Sequence, residues 1–125
     1  MKKKIVIIGA LGYLGTELCR LYSGESHYHD IVGIDDRFIS ERVNQLRNWN
    51  IEFFQIQILD KSSLELHLEN ADIVHHLAGI TDVAYVKKDS NLEQDEKIRK
   101  VAIEGTKNIL SEIPQKCKII FPSTH

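Results

Sequence analysis

At 125 residues the chain is one small domain at most, long enough to bury a real core. Its 42% hydrophobic and 27% charged residues are ordinary for a soluble globular protein, and a net charge of −2 lacks the basic excess of a nucleic-acid-binding surface. Cys19 and Cys117 lie far apart in sequence and read as reduced thiols of a cytoplasmic protein.

Lys2, Lys3 and Lys4 run into the apolar stretch Ile5–Ile8, an arrangement that a secretory signal shares. Gly9 and Gly12 interrupt the stretch, however, and no small-x-small cleavage site follows. Glu17 stands where a lipoprotein-type site before Cys19 would need a small or apolar residue. The stretch is also too short to span a bilayer. It reads as a buried strand with a solvated lead-in. Leu14, Leu18 and Leu21, at i, i+4 and i+7, then predict a helix ended by Gly24.

The alternation continues. Ile31–Ile34, Phe53–Leu59, Ile73–Leu77 and Ile119–Phe121 are short apolar runs rich in β-branched or aromatic residues, as strands covered on both faces are. Val43 and Leu46 predict a second helix. Leu64 and Leu68 predict a third, capped by Asp60 or by Ser62, which stands at capping-box spacing from Glu65. The fourth helix is the longest, roughly 92–112, opened by a Ser90/Glu93 box and stopped by Pro114. Its inward stripe of Ile98, Val101, Ala102, Gly105 and Ile109 carries a close-packing glycine. The β-α-β-α-β-α-β-α-β pattern predicts a doubly wound α/β fold: a parallel sheet with helices on both faces and strand order 3-2-1-4-5.

In such a sheet Gly9, Gly12 and Gly15 fall where the first strand turns into the first helix. Gly9 permits a tight turn, Gly12 leaves room for a ligand beside the backbone, and Gly15 allows close helix packing. The free N–H groups and dipole of the helix start suit a pyrophosphate. The second strand ends "IVGIDD", and Asp35, 20 residues beyond Gly15, is placed to hold the adenosine ribose hydroxyls. Asp36 is the competing acid. A carboxylate here repels a 2′-phosphate and so favours NAD over NADP, a preference that Arg37 weakens.

Read with "ADIVHHLAG", "VAIEGTKNIL" and "KIIFPST", the glycine spacing resembles the N-terminal part of the NAD-dependent epimerase/dehydratase family, the extended branch of the short-chain dehydrogenases/reductases. The resemblance covers essentially the whole chain. It implies that residues 1–125 are the first part of a Rossmann-type NAD(P)-binding domain, the rest of which is absent along with a smaller C-terminal domain that grips a nucleotide-sugar. It implies that Gly9, Leu11, Gly12, Tyr13 and Leu14 contact the dinucleotide phosphates and that Asp35 holds the ribose. Gln57 stands where the family usually has an acid beside the adenine, and Ile58 keeps the apolar wall. Leu77, Ala78 and Gly79 would line the cofactor, and Thr124 would be the hydroxyl of the catalytic Ser/Thr–Tyr–Lys set.

The chain departs from the family at Ala102, where asparagine is common, and at Pro122, where a small polar residue is usual. It holds no Tyr-x-x-x-Lys, the pair that handles the hydroxyl proton in such enzymes. The expectation is therefore an inactive fragment of a nucleotide-sugar epimerase, dehydratase or reductase. A non-catalytic NAD(P)-sensing module and an interaction module that has kept only the fold are the alternatives. Homo-oligomerisation is expected, since the family often pairs through the fourth helix and the next. No membrane or metal partner is expected. His75 and His76 are strand neighbours facing opposite ways, and His27 and His29 lie in a loop without patterned ligands. Trp49 and Phe38 read as packing aromatics, and the loop with Tyr85, Lys87 and Lys88 as solvent-exposed.

Overall fold

The computed structural model describes residues 2–25, 27–77 and 103–121. Their elements are β1 (Lys4–Ile8), α1 (Tyr13–Tyr22) with a short 3-10 turn at Ser23–Glu25, β2 (Asp30–Asp35), α2 (Ser40–Asn48), β3 (Glu52–Gln55), α3 (Lys61–Leu68), β4 (Ile73–His76), α4 (103–112) and β5 (Lys118–Ile120). The strands form a five-stranded sheet in the order β3-β2-β1-β4-β5, every neighbouring pair parallel, as the sequence predicts.

The side-chain period of two in a strand divides the core into two layers. Ile5, Ile7 and Ile31 pack on one face with Cys19 of α1 and with Val43 and Leu46 of α2. Val6, Ile8, Val32, Ile34 and Val74 pack on the other with Leu64 and Leu68 of α3 and Ile109 of α4. β1 and β2 are therefore buried on both faces, which is why they read as continuous apolar runs. Parity also fixes the site. Asp35 shares its face with Ile31 and Gly33, the face on which α1 begins, and a β-carbon on Gly33 would lie 2.9 Å from both Ala10 Cβ and Leu46 Cδ2.

Several expectations need correction. The inward face of α1 is not Leu14, Leu18 and Leu21. Leu14 is 45% exposed and Leu21 64%, whereas Gly15 and Cys19 are buried and Leu18 and Tyr22 partly so. Turning two leucines outward forgoes about 1.5–3 kcal/mol of burial each. Contact decides it: the helix lies so near the preceding loop that only Gly15 fits there. Gly24 does not cap α1 in a left-handed conformation but sits in the 3-10 turn; the only positive-φ glycine among the described residues is Gly9. β3 stops at Gln55, short of Leu59: the Ile56 N–H makes the last bond to β2, on the Asp35 carbonyl, and β2 itself ends at Asp35. At α3 the cap is Asp60, whose carboxylate accepts the Ser63 N–H at 3.3 Å and the Ser63 hydroxyl at 2.8 Å; Ser62 is exposed in the first turn. Phe38 is half-exposed, edge-on to Phe53, while Trp49 packs on the core as expected.

In α4 the expected close-packing glycine is real. Gly105 and Ile109 are buried, and a β-carbon on Gly105 would meet Ile58 Cδ1 at 2.1 Å. The earlier part of that helix, with Ser90, Glu93, Ile98, Val101 and Ala102, lies outside the described residues, as does the loop with Tyr85, Lys87 and Lys88.

Candidate cofactor site

The turn between β1 and α1 is built by backbone. Gly9 takes φ 88°, a left-handed conformation that costs glycine little. Its N–H and that of Ala10 both donate to the Ile34 carbonyl, at 2.7 and 3.1 Å, fastening the turn to β2. The Gly12 N–H closes the turn on the Gly9 carbonyl at 3.1 Å, and the Thr16 hydroxyl donates to the Ala10 carbonyl at 3.2 Å.

Gly12 is the N-cap residue of α1 and has no side chain to satisfy the helix start. The first turn carries no acid. The first intrahelical bond runs from Thr16 N–H to the Gly12 carbonyl, so among the described residues the N–H groups of Tyr13, Leu14 and Gly15 have no backbone or side-chain acceptor. Tyr13 is 83% exposed, and the three donors sit at the positive end of a ten-residue helix. A helix start of this kind is suited to an anion.

Leu11 is tied into the protein through both side chain and backbone. Its side chain is buried in the core, its N–H donates to Asp35 Oδ2 at 2.9 Å, and its carbonyl accepts the guanidinium of Arg42. Both of its backbone groups are occupied by the protein itself.

Asp35 is buried and aimed at the loop. Besides the Leu11 N–H it accepts the Arg37 N–H and Nε on Oδ1, both at 3.0 Å, and Arg37 Nη2 on Oδ2 at 3.2 Å. Burial works against its charge and is the largest single influence. The hydrogen bonds from Arg37 and Leu11, with the guanidinium charge, outweigh it and hold the carboxyl below the usual aspartate range. Asp36 is exposed, and its carbonyl accepts Gln55 Nε2 at 3.1 Å. Partial burial and the neighbouring Asp35 raise its carboxyl above the ordinary value.

Gln57 and Ile58 follow β3. Gln57 is exposed, and its carbonyl accepts the Asp60 N–H. Ile58 covers Gly105, and its carbonyl accepts Asn108 Nδ2 at 3.0 Å, so this wall is tied to α4. Leu77 follows β4 directly, with its N–H on the Ile8 carbonyl at 2.8 Å. Ala78, Gly79, Thr124, Ala102 and Pro122 lie outside the described residues.

His75 and His76 do face opposite ways. His75 Nε2 pairs with the Tyr22 hydroxyl of α1 at 2.7 Å, and His76 Nε2 with the Thr106 hydroxyl of α4 at 2.9 Å. Burial lowers the proton affinity of both imidazoles. Sequence reasoning missed Arg42, which steadies the loop from the first turns of α2. A cation there, just past the ribose acid, was the available signal.

The model of the 3-beta hydroxysteroid dehydrogenase/isomerase family matches residues 6–124. The chain belongs to that family. As a member it falls within the extended short-chain dehydrogenases/reductases that its motifs resemble. It is 32% identical over 127 aligned positions to a UDP-N-acetyl-alpha-D-glucosaminuronate decarboxylase of Bacillus cytotoxicus, which covers 99% of this chain and 37% of the relative. In fold it is similar to the PbgP3 protein of Burkholderia pseudomallei (TM-score 0.74, 24% identity, 99% of this chain and 36% of that one). It is also similar to a UDP-glucose-4-epimerase of Stenotrophomonas maltophila bearing NAD and formylated UDP-arabinopyranose (TM-score 0.72, 20% identity, 95% and 36%). The family member described here thus spans little more than a third of the relatives it matches.

Proposed function

We propose that the chain is the cofactor-binding part of an NAD-dependent enzyme that acts on a nucleotide-sugar by hydride transfer at a sugar carbon. The observation that carries this reading is the uncapped start of α1, with three N–H donors beside a loop on which Asp35 is already seated. That cradle fits a dinucleotide: the N–H groups would hold the pyrophosphate, and Asp35 the adenosine ribose. The exposed side chains of Tyr13 and Leu14 would flank the phosphates, and Gln57 and Ile58 would stand on the adenine side. The NAD-bound epimerase of the same fold and the UDP-sugar decarboxylase relative support both cofactor and substrate class.

Bound there, NAD would supply the hydride acceptor. The chain's part is to fix its adenosine half; Leu77, Ala78 and Gly79 would line the crevice, and the Thr124 hydroxyl would hold the reacting oxygen. These 125 residues contain no Tyr-x-x-x-Lys, so alone they are expected to turn over no sugar. Among the described residues no helix is long and apolar enough to cross a membrane. Calorimetric titration of the full-length protein with NAD tests the reading. One saturable site is expected, and absence of binding overturns it.

A further inference from the structure

From Gly9 to Gly12 every backbone group has a partner inside the protein. The Gly9 and Ala10 N–H groups go to the Ile34 carbonyl, that of Leu11 to Asp35, and that of Gly12 to the Gly9 carbonyl. The Ala10 carbonyl takes the Thr16 hydroxyl, and the Gly12 carbonyl the Thr16 N–H. The Leu11 carbonyl lies just outside α1 and draws its donor from another helix: it accepts the guanidinium of Arg42. The Leu11–Gly12 peptide unit is thus gripped at both ends, through its N–H by Gly9 and through its oxygen by Arg42. It directly precedes the N–H donors of Tyr13, Leu14 and Gly15.

Arg42 is out of place in its own helix. It is the third residue of α2, where a cation opposes the positive end of the helix dipole. It is half-buried, and among the described residues it makes no ion pair that offsets this. Departures of that kind gather at functional sites. Here the return is one carbonyl, 31 residues away. A guanidinium on that oxygen fixes the peptide plane and offsets the negative end of its dipole, which would otherwise oppose an anion bound nearby. We infer that Arg42 is a positioning residue for the cofactor: by holding the Leu11 carbonyl it sets the direction of the three N–H donors before the diphosphate arrives. The turn is then ordered by folding and not by the ligand, which keeps the binding-competent fraction high. Arg42 acts through Leu11 and needs no contact with the cofactor. The inference rests on the dinucleotide reading above and adds a residue of α2 on which the affinity depends.

The test is calorimetric titration of the full-length wild type, Arg42→Ala and Arg42→Lys with NAD, and with ADP, which carries the diphosphate without the nicotinamide. Amide hydrogen exchange is followed in the same three proteins. Wild type should bind both ligands. In Arg42→Ala both should weaken by about tenfold. Exchange of the Leu11 and Gly12 amides should quicken by about tenfold or more, while the amides of β1 and β2 keep their protection. Arg42→Lys, which retains a cation able to donate to the carbonyl, should recover most of the affinity. Wild-type affinity in Arg42→Ala overturns the inference and leaves the cofactor reading intact. So does a loss of affinity in which exchange quickens equally in β1, β2 and the loop, the mark of a merely structural role. Wild type that binds neither ligand overturns both.

Discussion

Gly15 and Gly9 approach so closely that a β-carbon on Gly15 would lie 2.0 Å from the Gly9 carbonyl oxygen. The obstacle is backbone, and Gly9 is held by its own N–H on the Ile34 carbonyl, so no rotamer relieves the clash. Gly15→Ala must push α1 off the loop. It should cost about 1–3 kcal/mol of unfolding free energy in urea, as overpacking of a close contact does. The same shift misaligns the three N–H donors, so NAD affinity should fall with stability. A Gly15→Ala protein of wild-type stability would show that the two segments separate freely.

Gly105 makes a different kind of contact. Its missing β-carbon would meet only the Ile58 side chain, at 2.1, 2.5 and 3.0 Å, and a side chain can be trimmed. Gly105→Ala alone should destabilise by about 1–3 kcal/mol. Ile58→Ala alone should also destabilise, by loss of packing. Combined, the two should cost less than their sum, with a coupling of about 0.5–3 kcal/mol in a double-mutant cycle. Strict additivity would mean that α4 does not rest on Ile58.

Much of this architecture was legible in the sequence because its strongest signals are long-lived ones. Ile5–Ile8 and Ile31–Ile34 are apolar apart from Gly33 because helices cover both their faces, and their alternation with helical patterns points to the doubly wound parallel sheet. The turn glycines were legible because backbone geometry leaves no other residue for Gly9. What the sequence hid were effects of close approach. Hydropathy ranks Leu14 and Leu21 above Gly15 and Cys19, so the face of α1 was misplaced; contact distance, not hydropathy, chose it. The apolar residues of Phe53–Leu59 continue past Gln55, where β2 has ended and no neighbouring strand is left to pair with, so the run overstates β3. Asp60 and Ser62 were equal as caps until geometry gave Asp60 two donors from Ser63. At the site, Asp35 was readable from its spacing, and the Leu11 N–H on its Oδ2 is what distinguishes it from Asp36. The chain of contacts Arg42–Leu11–Asp35–Arg37 joins residues up to 31 apart in sequence and has no linear signature.

The paired histidines make stability depend on pH. Burial depresses both folded-state values below the unfolded value of about 6.5, so the unfolded chain takes up protons first as pH falls. Their contribution is complete above that value and is lost as pH drops through the folded-state values. Unfolding free energy should therefore decline as pH falls from above the unfolded value of about 6.5 through the lower folded-state values. His75→Gln, which keeps an acceptor for the Tyr22 hydroxyl, and His76→Gln, which keeps a partner for Thr106, should together flatten that decline. A double variant with the wild-type slope would place the titration elsewhere.

The central claim is that the bare start of α1 waits for the diphosphate of a nicotinamide dinucleotide. Gly12→Asp tests it most directly, because an aspartate at the N-cap would satisfy those same N–H groups and place a negative charge where the phosphates belong. Calorimetric titration of the full-length wild type should show one NAD site. Gly12→Asp, folded by circular dichroism, should bind NAD at least about tenfold more weakly. If Gly12→Asp binds NAD as tightly as wild type, the diphosphate does not sit at the start of α1, and the account is wrong.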